Sequence, residues 1–121
     1  MRREAELGPY LKFRERYLEK VLTGVKRVTI RHGVVRPRFS FMYIVCCEHI
    51  YAEAVITKVY YTKLGRVGEE VIKAEGLESR EVLLQELREI YGDVDEEDPV
   101  TVIYFTVVRR YERPVPVKKI N

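Results

Sequence analysis

The chain has no tryptophan and few of the residues that build metal centres or disulfide frameworks. Its 121 residues include two cysteines and two histidines. His32 and His49 are far apart in sequence and neither belongs to a metal-ligand spacing. Cys46 and Cys47 are adjacent, so on a regular strand their side chains would point to opposite faces, where a disulfide is sterically awkward. We therefore expect no metal and no cofactor, and a reduced, cytoplasmic protein.

Long hydrophobic runs and amide side chains are also scarce. No apolar run is long enough to cross a bilayer, and no signal-peptide pattern is present, so we expect no membrane partner. Gln85 and Asn121 are the only amide side chains, in a chain of which 34% is charged. Few amides combined with abundant Glu, Lys and Arg favour a thermophilic source.

The length and composition that remain are those of one globular domain. Hydrophobic residues make up 46% of the chain and the net charge is +3, which permits nucleic-acid binding without requiring it. We predict a single domain over residues 1–121, with a core at about 10–108 and a basic tail at 109–121. This tail could supplement phosphate binding or be an ordinary solvated terminus. Its cations are Arg109, Arg110, Arg113, Lys118 and Lys119.

Hydrophobic periodicity predicts an α+β fold. Apolar residues recur at helical spacing before Gly24, and again after Ser79, which suits a helix N-cap. Between and after these helices lie alternating or β-branched segments typical of strands. The predicted strands should be mostly antiparallel, in a sheet or small barrel with the helices on one side. The predicted elements are a short strand at 10–13, a helix at 14–23, a strand at 28–31, a loop at 32–38, strands at 39–47 and 50–62 forming a hairpin, helices at 69–74 and 79–91, and a strand at 100–109.

The segment that follows Gly24 carries the strongest candidate site. Lys26, Thr29 and Arg31 bring two cations and a hydroxyl into one short stretch. A lysine shielded from water can act as a base, a threonine as a nucleophile, and an arginine can bind phosphate or a carbonyl. Strand parity separates Lys26 from Thr29, so the two converge only if the chain turns or bulges before Val28. The alternative is a solvated strand face carrying ordinary cations.

Two glutamates flank the predicted break at Gly76. Glu75 or Glu78 could act as a general acid, or could set the charge of Lys26 if the fold brings them together. The alternative is a pair of surface carboxylates near the N-terminus of the second long helix.

The run from Gly24 to Arg31, with the later segments in order, resembles the ASCH domain family. The run is similar to that family's G-x-K-x-x-[E or T]-x-R signature, and the resemblance extends over about residues 10–108. Supporting segments are Tyr51–Ile56, Ala74–Ser79, the helix end at Ile90–Gly92 and the strand Pro99–Phe105.

The resemblance implies a PUA-like small β-barrel of mostly antiparallel strands with helices packed against it. It also implies a cleft, lined by Lys26 and Arg31, that recognises RNA or a modified nucleoside. One branch of the superfamily hydrolyses N4-acetylcytidine through a lysine, a threonine and a glutamate. These are similar in position to Lys26, Thr29 and Glu75, with Glu78 as the second choice for the glutamate.

Two functions follow. In the first, an RNA-binding module, Lys26 and Arg31 bind phosphate and a base lies in the cleft, with Arg27 and Glu78 as further ligand contacts. In the second, an amidohydrolase, Lys26 is the base, Thr29 the nucleophile and Glu75 the acid. A metal-free ribonuclease is a third alternative, although the sequence offers no histidine pair for it. No protein partner is inferred.

Overall fold

The computed structural model describes residues 4–117 and contains a mixed sheet with helices packed on it. Most elements lie within a residue or two of the predicted bounds, because each carries a local periodic signal. The strands are β1 (Glu4–Leu7), β2 (Tyr10–Lys12), β3 (Val28–His32), β4 (Val34–Pro37), β5 (Phe41–Cys46), β6 (His49–Lys63) and β7 (Pro99–Pro116). The helices are α1 (Glu15–Leu22), α2 (Glu69–Ala74) and α3 (Arg80–Tyr91), with a single 3-10 turn at Leu64–Arg66.

The main sheet is open. Its strand order is β2-β5-β6-β7-β3, with β2 parallel to β5 and the other neighbours antiparallel. The mixed α+β class is as predicted, but within residues 4–117 the sheet is not closed into a barrel. Closure would need β2 to pair with β3. Instead, a side chain joins these two edges, because the Arg31 guanidinium on β3 donates to the Lys12 carbonyl on β2 at 3.0 Å.

Two hydrophobic clusters lie on the sheet. One contains α2, α3 and the facing residues of β3 and β7, among them Val28, Leu83 and Val102. The other lies under α1 and includes Leu11 and Met42. The open edge therefore runs between two packed halves of the molecule.

Helix ends follow the sequence signals closely. Ser79 caps α3 by accepting from the Val82 amide at 3.3 Å, and Gly24, after α1, has φ +84°. None of the helices within residues 4–117 is long and apolar enough to cross a membrane.

Two backbone predictions are wrong because the pairing is non-local. The predicted loop after β3 contains β4, which pairs in parallel with β1 in a separate two-stranded sheet. The predicted basic tail begins inside β7, whose far end pairs with the start of β6, as at Ile50 opposite Val115. Lys118 and Lys119 lie outside the described residues.

The expectation of two reduced cysteines is also wrong. Cys47 and Glu48 form the turn between β5 and β6, with φ of +58° and +66°. Because Cys47 has left the strand, its side chain does not alternate with that of Cys46, and the two sulfur atoms form a disulfide.

Candidate functional site

Lys26 lies on irregular backbone between α1 and β3, which is the turn that a site at this motif requires. Its amide donates to the Lys20 carbonyl at 2.9 Å, and the next amide, that of Arg27, donates to the Ala74 carbonyl at 2.8 Å. Strand pairing begins only at Val28. Freed from strand parity, the Lys26 side chain turns inward and is 3% exposed.

The Lys26 ammonium group is fully engaged inside the protein. Nζ contacts the Glu75 carboxylate at Oε1, and it donates to the Glu75 and Val28 carbonyls at 3.1 and 3.2 Å. The ring centroids of Tyr17 and Phe13 lie 5.4 and 5.8 Å from Nζ. Since an ammonium group has three donors, this lysine has none left for a phosphate while it is paired.

Burial changes the acid–base properties of this pair. It lowers the pKa of Lys26, and the neighbouring Glu75 carboxylate opposes that shift. Burial raises the pKa of Glu75, and both Lys26 and the nearby Ile30 amide oppose this increase. Burial therefore brings the pKa values of the two groups closer together than they are in water. Glu75 Oε2 is buried without a hydrogen-bond partner of good geometry in the described part of the chain.

Thr29 follows Val28, whose carbonyl accepts from Lys26, and is held by Arg31. Arg31 Nε donates to Thr29 Oγ1 at 3.0 Å. The Arg31 guanidinium lies over the Phe13 ring, 5.7 Å from its centroid. Thr29 is 4% exposed, so β3 is buried at Thr29 as well as at Val28 and Ile30, contrary to the prediction of one solvated face. Because Oγ1 accepts from Arg31, the threonine hydroxyl keeps its proton available for donation to a base or a ligand.

These side chains line one cavity of about 290 Å³ at the open edge of the sheet. The segment from β2 into α1 forms one wall, β3 the floor, and α3 the opposite wall. Of the predicted site residues, Lys26, Thr29, Arg31 and Glu75 meet here. Other lining residues include Lys12, Phe13, Tyr17, Leu83, Glu86, Leu87 and Tyr91.

Two predicted ligand residues, Arg27 and Glu78, are not in this cavity. Arg27 is exposed and is not among the residues that line this cavity. Gly76, with φ +86°, reverses the chain after Glu75, which leaves Glu75 directed inward and Glu78 exposed. The structure thus selects Glu75 as the glutamate that faces Lys26.

The aromatic and acidic lining was not predicted. Tyr17 belongs to the apolar stripe of α1, where it is indistinguishable from a core residue. Glu86 had a usable signal, since it lies between Leu83 and Leu87 on the apolar face of α3. Its carboxylate is bound by Arg16 of α1 at 2.8 and 2.6 Å, which ties the two walls together at the mouth.

The histidines lie outside the cavity. His32 contacts Asp98 at 2.9 Å, and His49 contacts the Cys47 carbonyl at 2.9 Å. No group of three or more His, Cys, Asp or Glu side chains within residues 4–117 is arranged to hold a metal ion.

The profile of the ASCH domain matches residues 6–109, which is most of the chain. The protein belongs to the ASCH domain family. ASCH domains are thought to bind RNA. No curated protein sequence matches the chain significantly.

Several solved structures share the fold. That of the ASCH domain from Lactobacillus crispatus JV V101 is 16% identical, with a TM-score of 0.62, and the match covers 88% of this chain and 80% of that one. A protein from Enterococcus faecalis V583 is 19% identical, with a TM-score of 0.62 and coverage of 93% and 84%. ASCH from Zymomonas mobilis is 14% identical, with a TM-score of 0.69 and coverage of 89% and 72%. At these identities the likeness concerns the fold alone.

Proposed function

We propose that this ASCH domain binds one nucleobase, from RNA or a modified nucleoside, in the cavity at the open sheet edge. The observation that carries the proposal is the combination of a small cavity with aromatic walls and buried polar groups. Its volume of about 290 Å³ is at the lower end of ligand pockets, which suits a base and excludes a duplex. Phe13, Tyr17 and Tyr91 offer ring surfaces against which a base can stack.

The polar groups of the cavity are arranged for a base edge better than for a phosphate. Lys26 has no spare donor, and Arg31 already uses Nε and one Nη2 hydrogen. Glu75 Oε2 needs a donor, and an exocyclic amine or ring N–H supplies one. The sequence hypothesis in which Lys26 and Arg31 bind phosphate is therefore replaced by one in which Glu75 and Arg31 read a base.

Calorimetric titration with free nucleosides tests this proposal. Cytidine, uridine and adenosine should differ in affinity, because the donor that each presents to Glu75 Oε2 differs in kind and position: an exocyclic amine in cytidine and adenosine, and a ring N–H in uridine. Glu75→Gln should lower the affinity for the preferred nucleoside by about tenfold or more, since the loss of one charge-assisted hydrogen bond has that magnitude. Glu78→Gln, which makes the same chemical change outside the cavity, is the matched control. Equal behaviour of the two variants would reject the cavity as the binding site.

A second candidate function, hydrolysis of an amide on the base, is favoured by the pairing of Lys26 with Glu75 beside Thr29. In this mechanism, Lys26 is neutral when the proton of the Lys26–Glu75 pair lies on the Glu75 carboxyl. The neutral amine accepts the Thr29 hydroxyl proton as Oγ1 attacks an acyl carbon. The C–N bond then breaks, and the leaving amine takes its proton from Lys26. A water molecule, deprotonated by the same lysine, releases the acid and restores Thr29.

Cytidine release from N4-acetylcytidine distinguishes hydrolysis from binding alone. If the enzyme mechanism holds, Lys26→Ala and Thr29→Val abolish turnover, whereas Thr29→Ser keeps part of it. A fully active valine variant would eliminate Thr29 as the nucleophile. Saturable binding of the nucleoside without turnover in the wild type would leave the base-binding function alone.

A further inference from the structure

Two more hollows lie along β7. The first, here called the inner hollow, has a volume of about 280 Å³ and is lined by Lys26, Arg27, Arg109 and Arg110 among others. The second, the outer hollow, is wider, at about 720 Å³. The inner hollow shares Lys26 with the cavity and shares Arg109 and Arg110 with the outer hollow. Each depression therefore has lining residues in common with the next.

The two hollows are strongly cationic. Their exposed cations, here called the basic track, are Arg27, Arg109, Arg110 and Arg113. Among the described residues that line the hollows, Glu112 is the single acid. Arg109 forms a loose ion pair with Glu53 at 3.8 Å, whereas the other three arginines form no ion pair within residues 4–117. Guanidinium groups left unpaired along a groove are suited to a row of phosphates.

The outer hollow also presents aromatic rings that are held in place. The Tyr111 hydroxyl donates to Glu53 Oε2 at 2.5 Å, and Arg109 lies over the Tyr111 ring at 5.5 Å. Tyr43, which lines the same hollow, packs edge-on against Phe41, with ring centroids 5.5 Å apart. Cations beside fixed rings form the surface on which single-stranded nucleic acid binds, because phosphates meet the cations while bases stack on the rings.

Most of the outer hollow lies beyond the region shared with the family. The match to the ASCH profile ends at residue 109, so Arg110, Tyr111 and Arg113 lie outside the matched residues. They extend β7 without adding a residue to either hydrophobic cluster. Packing therefore does not explain the arginines and the tyrosine of this segment.

We propose that the cavity receives its base from a single-stranded RNA, whose adjoining phosphates lie on the basic track and whose next base stacks on Tyr111. This inference rests on the proposed binding of a base in the cavity. It distinguishes an RNA strand from a free nucleoside as the ligand, and it assigns the extension of β7 to strand binding.

The test measures the affinity of the same variants for a short fluorescent RNA oligonucleotide and for a free nucleoside. The triple change Arg27→Gln, Arg110→Gln and Arg113→Gln should weaken binding of the oligonucleotide. It should also reduce the magnitude of the slope of log K against log salt concentration by about 2, since each phosphate contact on a single strand contributes about 0.7. Free-nucleoside affinity should not change. The matched control, with the same loss of charge elsewhere, is Arg38→Gln, Arg66→Gln and Arg88→Gln.

A second pair of variants tests stacking separately from charge. Tyr111→Ala should lower the affinity for the oligonucleotide by about tenfold, whereas Tyr111→Phe, which keeps the ring, should bind it nearly as well as the wild type. Polyglutamate serves as a competitor that carries charge without bases.

The outcomes separate the two proposals. Equal oligonucleotide binding by the two triple variants, or displacement by polyglutamate as effective as by unlabelled RNA, would overturn the strand-binding proposal even if nucleosides bind. Failure of every nucleoside to bind, with oligonucleotide binding still dependent on the basic track, would instead overturn the base-binding function of the cavity and the link between the two sites.

Discussion

At the scale of single residues, the central feature is a lysine and a glutamate that are buried together. Removing one member of such a pair leaves the other charge without compensation, which costs about 3–5 kcal/mol. When Lys26 is removed, Glu75 keeps its hydrogen bond from the Ile30 backbone amide. It loses the cation that most strongly opposes the raised pKa of its carboxyl. Its protonation should then control how stability depends on pH.

Lys26→Met should therefore destabilise the protein more at about pH 8 than at about pH 5. Burial raises the pKa of Glu75 above its ordinary value of 4.5, and the loss of Lys26 raises it further. A group whose pKa is raised in the folded state favours folding at low pH, and that contribution is lost as pH rises through the folded pKa. Urea unfolding at the two pH values measures the difference.

The double variant Lys26→Met with Glu75→Gln is the control for this prediction. With no titrating group left in the pair, its free energy of unfolding should fall less between about pH 5 and about pH 8 than that of Lys26→Met. An equal fall in the two variants would show that Glu75 finds another partner or water when Lys26 is gone.

At the scale of elements, the site depends on where helices end. α1 ends before Gly24 and is followed by Lys26, while α2 ends before Gly76 and is followed by Glu75. The second junction is close to the first, because a Cβ added at Gly76 would lie 3.6 Å from the Lys26 Cβ. The relative placement of acid and base is thus fixed by two helix C-termini.

Gly76→Ala should therefore lower nucleoside affinity as well as stability. Its φ of +86° is unfavourable for alanine, which costs about 1–2 kcal/mol and favours a shift of the turn that carries Glu75. Gly92→Ala is the matched control, since φ there is +85° and nothing lies within 4 Å of an added Cβ. Both variants should lose stability in thermal unfolding, but only Gly76→Ala should bind nucleosides more weakly. Unchanged binding by Gly76→Ala would show that the turn does not position Glu75.

The same junctions show how far sequence reasoning reaches. Lys26, Thr29 and Glu75 could be proposed from one short motif and a helix break, because glycine positions and helical periodicity are local signals. The aromatic lining from Tyr17 could not, since a ring on an apolar helix face has the same pattern whether it covers a core or a cavity. The choice of Glu75 over Glu78 required the direction of the chain after Gly76.

At the scale of the whole molecule, the sequence could not specify how the sheet ends. The β1–β4 pair and the long β6–β7 ribbon join segments that are distant along the chain, and alternation within a strand does not identify its partner. Whether β2 meets β3 is likewise a matter of tertiary packing. The difference matters for function, because the edge that stays open is where the cavity forms.

An open edge makes the ligand a bridge between the two packed halves. A base in the cavity would touch α1 and β2 on one side, and α3 and β3 on the other, through groups such as Tyr17 and Tyr91. Within the described residues, the Arg31–Lys12 hydrogen bond and the ion pairs of Arg14 and Arg16 with Glu86 and Glu89 already span this gap. The exposed ion pairs contribute little stability.

Hydrogen exchange with and without a saturating nucleoside should consequently show slower exchange on both sides of the cavity. Amides of α1 and of α3 should be protected together, because opening of either half would release the base. Residues 110–116 provide an internal control. They should be unaffected by a free nucleoside and protected only by an RNA oligonucleotide. Protection confined to α3 would show that the ligand rests on one wall, and the open edge would then be a structural gap instead of the binding site.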